Sequence, residues 1–234
     1  MVNKCIKNIQ YLLYPATCIL CGAPGNGGLD ICARCLRELP SNSNCCRLCA
    51  APVPSAASGG LCGECVVTPP LFDRCIAPFL YCAPIDNLIS SFKFQQRLPN
   101  GRLLSLLLLD FLIRKRVEIP DIILPVPLHR GRLSERGFNQ ALEVARPLAK
   151  HFRLPLDLST CVRSYATTPQ MNLGKSGRLR NMRGAFEIRR DIDVQHAVLL
   201  DDVVTTGATV SELAALLKNR GVKKVDVWAL ARTP

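Results

Sequence analysis

Residues 197–209 read Ala-Val-Leu-Leu-Asp-Asp-Val-Val-Thr-Thr-Gly-Ala-Thr. The apolar run Ala197–Leu200 predicts a buried strand. It ends on two adjacent carboxylates, Asp201 and Asp202, and a small hydroxyl-rich loop follows, Thr205-Thr206-Gly207-Ala208-Thr209. Val210, Leu213, Leu216 and Leu217 then recur at helical spacing. Strand, acidic pair, glycine loop and helix in this order make a phosphate site at the carboxyl end of a sheet. The helix N-terminus offers unpaired N–H groups and partial positive charge to an anion. Gly207 lets the backbone approach a phosphate, and the threonine hydroxyls add donors. Asp201 and Asp202 stand where sugar hydroxyls or a magnesium ion would be held.

These thirteen residues resemble the 5-phosphoribosyl-1-diphosphate (PRPP) motif of type I phosphoribosyltransferases. The resemblance implies that the acidic pair holds the ribose 2- and 3-hydroxyls. It implies that Thr205, Thr206, Gly207, Ala208 and Thr209 hold the 5-phosphate, with magnesium accompanying PRPP. An ordinary helix cap at Thr206 or Thr209 is the rival reading, and a thirteen-residue pattern in a strand–loop–helix context is far more specific than a cap.

The chain has 234 residues and is 48% hydrophobic, enough for one sizeable core plus a small module. Its formal net charge of +12 is unevenly placed. Residues 128–190 hold 13 Lys/Arg against 4 Asp/Glu, so the segment just before the motif carries most of the excess. Such a segment points to polyanions, either diphosphate or nucleic acid. Met1–Pro15 is interrupted by Lys4, Lys7, Asn8 and Gln10 and does not read as a secretory signal. Leu103–Leu109 is too short to cross a bilayer, which needs about 20 residues. The expectation is a cytoplasmic protein without membrane insertion.

Ten of the thirteen cysteines precede residue 67. Eight form Cys-x-x-Cys knuckles: Cys18/Cys21, Cys32/Cys35, Cys46/Cys49 and Cys62/Cys65. Gaps of ten and twelve residues separate the first knuckle from the second and the third from the fourth, the spacing of zinc ribbons. A disulfide framework needs an oxidising compartment, and redox motifs come singly beside a βαβ unit. The expectation is structural zinc, one ion or two. Sequential pairing gives two sites, and interleaved pairing of first with third knuckle stays open. Cys75 and Cys82 read as small buried hydrophobes, and Cys45 as a competitor of Cys46.

Thr68-Pro69-Pro70 marks a join and the larger domain begins near Phe72, giving a module at 1–68 and a domain at 69–234. Cys75–Cys82 reads as a strand, Pro84–Phe94 and Leu103–Arg116 as helices, and Ile122–Leu124 as a strand ending in Pro125-Val126-Pro127-Leu128. A basic loop, His129-Arg130-Gly131-Arg132, leads to Arg136-Gly137-Phe138-Asn139-Gln140 and a helix. This is a second loop on the ligand edge of an open sheet, and Arg130, Arg132 and Arg136 suit forked contacts to a diphosphate. Residues 167–177 read as a polar lid beside the site, with Gln170, Arg178, Arg180 and Asn181 as anion-binding candidates. Gly174-Lys175-Ser176 is no Walker loop, because Pro169 stands where its first glycine belongs. Val225–Ala231 reads as the last strand.

In this order the parts resemble the ComF family, including its relatives named for gluconate utilisation. The knuckles, Pro69-Pro70, Phe92-Lys93-Phe94, Pro125–Leu128, Arg136–Gln140, Thr168–Gln170, Arg180-Asn181 with Ala185-Phe186, and the PRPP motif carry the resemblance. It implies a type I phosphoribosyltransferase-like α/β fold, a mostly parallel sheet with flanking helices, preceded by a double zinc ribbon. It also implies a place in natural competence, where single-stranded DNA enters the cytosol, with competence proteins such as a DNA translocase or helicase as partners. No base-binding hood is recognisable in the sequence.

Three readings follow. In the first, a PRPP site and a basic face for single-stranded DNA act together in DNA uptake. Aromatic content is only 6%, so binding would be mainly electrostatic, with Tyr165 and Phe138 the aromatics best placed among basic residues. In the second, the protein is an active phosphoribosyltransferase of unknown acceptor. In the third, the zinc module docks a partner and the larger domain senses PRPP.

Overall fold

The computed structural model describes residues 15–54, 60–164 and 184–234. The main sheet is wholly parallel. Its centre is formed by β6 (His196–Val204) and β7 (Lys224–Arg232), each nine residues long. These strands are buried on both faces, and so they read as near-continuous apolar runs. β3 (Ile122–Pro125) pairs with β6 on one edge. On the other edge β1 (Arg74–Ile76) and β2 (Phe79–Leu80) follow one another along β7.

Alternating side chains divide two cores. Ile123, Val198, Leu200, Trp228 and Leu230 face a layer of three helices: α3 (Ile85–Phe94), α4 (Leu98–Arg114) and α6 (Gln140–Phe152). Leu124, Ala197, Leu199, Val227 and Ala229 face α7 (Ala208–Asn219) and a two-stranded antiparallel ribbon, β4 (Cys161–Arg163) with β5 (Phe186–Ile188). At Gly101 the α3–α4 contact is closest: a Cβ there would come within 2.4 Å of the Phe92 ring.

The cysteine knuckles carry two short helices, α1 (Ala33–Arg37) and α2 (Gly63–Val67). Cys18, Ile31 and Leu39 pack into the three-helix core, and Ala50 packs into the opposite one. The chain between the two ribbons runs along the sheet edge. Leu80 N donates to Pro40 O at 2.9 Å, Asn42 N to Pro78 O at 2.8 Å, and Cys75 N to Leu48 O at 2.7 Å.

Four local departures from the sequence reading have physical causes. Cys75–Cys82 is not one strand, because Pro78 lacks a ladder donor and the inter-ribbon chain docks at Ala77-Pro78 instead. The basic stretch after β3 is not a loop but a seven-residue helix, α5 (Arg130–Arg136), capped by His129 Nδ1 accepting from Gly131 N at 3.2 Å. α4 starts at Leu98 rather than Leu103, with Pro99 in its first turn. β6 continues through the acidic pair to Val204 instead of ending at Leu200. Among the described residues, no helix is long and apolar enough to cross a membrane.

Candidate functional site

β3 ends with Pro125 opposite Leu200, while β6 runs on for four more residues. Asp201 and Asp202 therefore stand beyond the end of the neighbouring strand, in the crevice that open α/β sheets use for ligands. The loop after β6 turns at Gly207, whose φ of +76° admits glycine readily, and a Cβ there would lie 3.6 Å from the Phe72 ring. Ala208 N reaches Thr206 Oγ1 at 3.4 Å, and Thr205 is exposed. Asp201, Thr205, Gly207, Ala208 and Thr209 share the wall of one small recess of about 20 Å³. A larger cavity, about 500 Å³, lies between Asp30 and the α4 and α6 helices, and its walls include neither aspartate.

The acidic pair is electrostatically tense. Burial pushes the Asp201 carboxyl up to about 7, and the neighbouring Asp202 charge pushes in the same direction. Lys93, Arg163 and the Asp202 N–H pull it back, the last by donating to Asp201 Oδ1 at 2.8 Å. Lys93 Nζ lies 2.8 Å from Asp202 Oδ1, and both side chains keep only about a sixth of their surface exposed (16% and 14%). The reading of the sequence missed Lys93. Its signal was Phe92-Lys93-Phe94, a cation between two aromatic residues at a helix end.

Arg163 was missed as well. Its guanidinium sits 5.4 Å from the Phe186 ring centroid, attracted by Asp201 and repelled by Arg132. Arg132 is half-buried and near enough to Arg163 to repel it, whereas Arg130 is exposed at the start of α5. Arg136 turns elsewhere. It lies 5.0 Å over the Phe94 ring, and its Nη1 donates to Gln140 Oε1 at 3.1 Å. Phe138 packs on Phe92 with ring centroids 5.3 Å apart, so it is not an open stacking surface. Gln170, Arg178, Arg180, Asn181 and Tyr165 lie outside the described residues.

Arg232 is the third residue that sequence reading missed. It is buried, at 7% exposure, at the end of β7. Its Nε donates to Cys49 O at 3.0 Å, and its Nη1 donates to Val204 O at 3.2 Å and to Thr205 O. A charge closing an apolar strand was the available signal.

The eight knuckle cysteines form two sets, Cys18/Cys21/Cys32/Cys35 and Cys46/Cys49/Cys62/Cys65, each with all sulfurs within 4.8 Å of one another. Pairing is sequential, and interleaving is excluded. Cys21 and Cys32 sulfurs stand 3.7 Å apart, and Cys49 and Cys62 sulfurs 3.6 Å. A tetrahedral zinc with Zn–S bonds of about 2.3 Å sets sulfurs about 3.8 Å apart, so the donors fit zinc and are too distant for disulfides. Burial opposes ionisation of Cys18, but N–H groups of Cys32, Leu20 and Cys21 outweigh it and bring the thiol down to about 6. Cys45 stands outside both sets, and Cys75 is buried with its thiol raised by desolvation.

Two family models match the chain: the double zinc ribbon domain over residues 9–66 and the phosphoribosyl transferase domain over residues 139–234. DNA utilization protein YhgH of Escherichia coli strain K12 is 37% identical over 227 residues, covering 95% of this chain and 99% of that protein. Competence protein F of Haemophilus influenzae is 31% identical over 209 residues, covering 86% and 90%. A purine phosphoribosyltransferase from Pyrococcus horikoshii aligns at 19% identity with a TM-score of 0.32, over 55% of this chain and 70% of that one.

Proposed function

The chain belongs to the ComF family, with a type I phosphoribosyltransferase-like fold behind a double zinc ribbon carrying structural zinc, and from that premise we propose that it binds PRPP and handles single-stranded DNA during uptake and use of DNA. The observation that carries the PRPP reading is the placement of Asp201 and Asp202 beyond the end of β3, with Asp201 sharing one recess with Thr205, Gly207, Ala208 and Thr209. The α7 N–H groups and threonine hydroxyls take the 5-phosphate, and the carboxylates take the ribose hydroxyls. Arg132 faces the diphosphate from α5. Magnesium, arriving with PRPP, supplies charge neutralisation for the diphosphate. Lys93 holds Asp202 in the unliganded protein, so sugar hydroxyls share or displace that cation on binding.

The test is calorimetric titration of PRPP with magnesium into zinc-loaded protein, with and without a single-stranded oligonucleotide. Micromolar binding that the oligonucleotide alters supports both ligands and their coupling. Absence of heat, with the oligonucleotide bound or not, removes PRPP from the reading.

A second reading, active phosphoribosyl transfer, is favoured by one observation. A carboxyl held near 7 is poised to accept a proton from an incoming nucleophile at neutral pH. Diphosphate release from PRPP in the presence of candidate acceptors tests it.

A further inference from the structure

Phe94 closes α3 with 69% of its surface exposed. One exposed phenylalanine is unremarkable in itself. Its surroundings are less ordinary. The Arg136 guanidinium lies 5.0 Å from the ring centroid, within cation–π range. That guanidinium is held from beneath by Gln140, a residue only 1% exposed whose Oε1 accepts from Arg136 Nη1. Gln96 Nε2 steadies the same corner by donating to Arg136 O at 3.4 Å. A buried amide spent on fixing a surface arginine over an aromatic ring makes a rigid platform, with the remaining ring surface left to solvent.

The platform stands next to the sugar site. The residue before Phe94 is Lys93, whose ammonium touches Asp202. Arg97 lies three residues past Phe94, directly before α4, and Arg130 and Arg132 lie on α5, the helix that ends at Arg136, within a chain whose 128–190 segment carries 13 basic and 4 acidic residues. Aromatic surface with a fixed guanidinium, set among cations that meet phosphates, is the chemistry that recognises unpaired bases.

We infer that Phe94 and Arg136 form a stacking platform for an unpaired base of single-stranded DNA, whose backbone phosphates run toward Arg97, Arg130 and Arg132. This inference rests on the DNA-handling reading above. It adds one stacked anchor to the mainly electrostatic binding expected from an aromatic content of 6%.

The test is fluorescence anisotropy of a labelled oligothymidylate at two or more salt concentrations. It compares the full zinc-loaded chain with Phe94→Ala and Phe94→Trp, and a duplex of equal length serves as a second probe. Loss of a stacked base weakens single-strand binding by about five- to a hundred-fold. The salt slope stays unchanged, because stacking releases no counterions. Phe94→Trp keeps the affinity, and its fluorescence is quenched on binding. Duplex and PRPP affinities stay as in the parent protein. Parent-like oligothymidylate binding by Phe94→Ala overturns the platform and leaves the DNA reading standing. A parent protein that binds no single strand overturns both.

Discussion

Arg232 Nε donates to the carbonyl of Cys49 at 3.0 Å, while its Nη1 donates to the carbonyls of Val204 and Thr205. One guanidinium thus joins a residue of the second four-cysteine set to the loop after β6 that the PRPP reading assigns to the phosphate. The zinc module is not a bead on a tether. Cys75 N also donates to Leu48 O at the lateral edge of the sheet, so the second ribbon is fastened both along β1 and at the carboxyl end of β7.

Arg232→Met keeps the aliphatic stem but removes the donor to the half-buried Cys49 carbonyl and one of the two donors to the carbonyls of Val204 and Thr205, which Thr233 also reaches through its N–H and hydroxyl. Orphaned buried acceptors cost about 1–3 kcal/mol each, partly relieved by water. The expected outcome is a loss of roughly 2–3 kcal/mol in stability by denaturant melt. PRPP affinity should fall about tenfold by calorimetry, as the Thr205 carbonyl loses one of its two donors. A stable variant with parent affinity would show that the loop holds its shape unaided.

The two zinc sites should differ in their effect on the ligand edge. Cys46→Ser with Cys49→Ser removes one zinc and loosens the fastening at Arg232, so PRPP affinity falls several-fold. Cys18→Ser with Cys21→Ser also removes one zinc, but its ribbon packs through Ile31 and Leu39 against the three-helix core. That variant melts earlier and keeps PRPP affinity. Zinc content by atomic absorption, with calorimetry on the same samples, separates the two.

The β6–loop–α7 unit was legible because its chemistry is local: an apolar run, two acids, a glycine at positive φ and a helical stripe occupy consecutive residues. The zinc sets were legible because knuckle spacing is local too. Lys93, Arg163 and Arg232 were not, since each acts through contacts that only the folded sheet creates. Lys93 reaches Asp202 across 109 positions of sequence, and no periodicity encodes that pairing. The α5 helix was hidden for a different reason, as Arg130–Arg136 has no buried residue and hence no apolar period.

Lys93→Met takes the cation from a pair whose side chains are mostly buried. Leaving Asp202 uncompensated should cost roughly 1–3 kcal/mol in stability, less than a fully buried pair because each partner keeps some solvent contact. Lys93 also pulls the Asp201 carboxyl down, so its loss moves the pH dependence of PRPP binding upward. Lys93→Arg should restore most of both properties. Parent-like melting and an unmoved pH profile in Lys93→Met would break the link between this cation and the acidic pair.

On the PRPP reading Asp201 sets stability against binding, and the sign follows from its raised carboxyl. In the unfolded chain the group titrates near 3.8; in the fold it titrates near 7. The native state therefore favours the protonated form. Its contribution to stability is complete below the unfolded value and is lost as pH rises through about 7. Asp201→Asn mimics the protonated form, so its melting temperature should match the parent's near pH 4 and exceed it at pH 8. The difference should be on the order of 2 kcal/mol once the partial solvent contact of the group is discounted. Ligand binding runs the other way. Parent PRPP affinity should climb between pH 6 and 8 as the carboxylate ionises, and Asp201→Asn should bind weakly with a flatter profile. Melts and titrations across that range test both signs. A variant that is no more stable than the parent at pH 8 would mean that the buried carboxylate is compensated by groups other than Lys93, Arg163 and the Asp202 N–H.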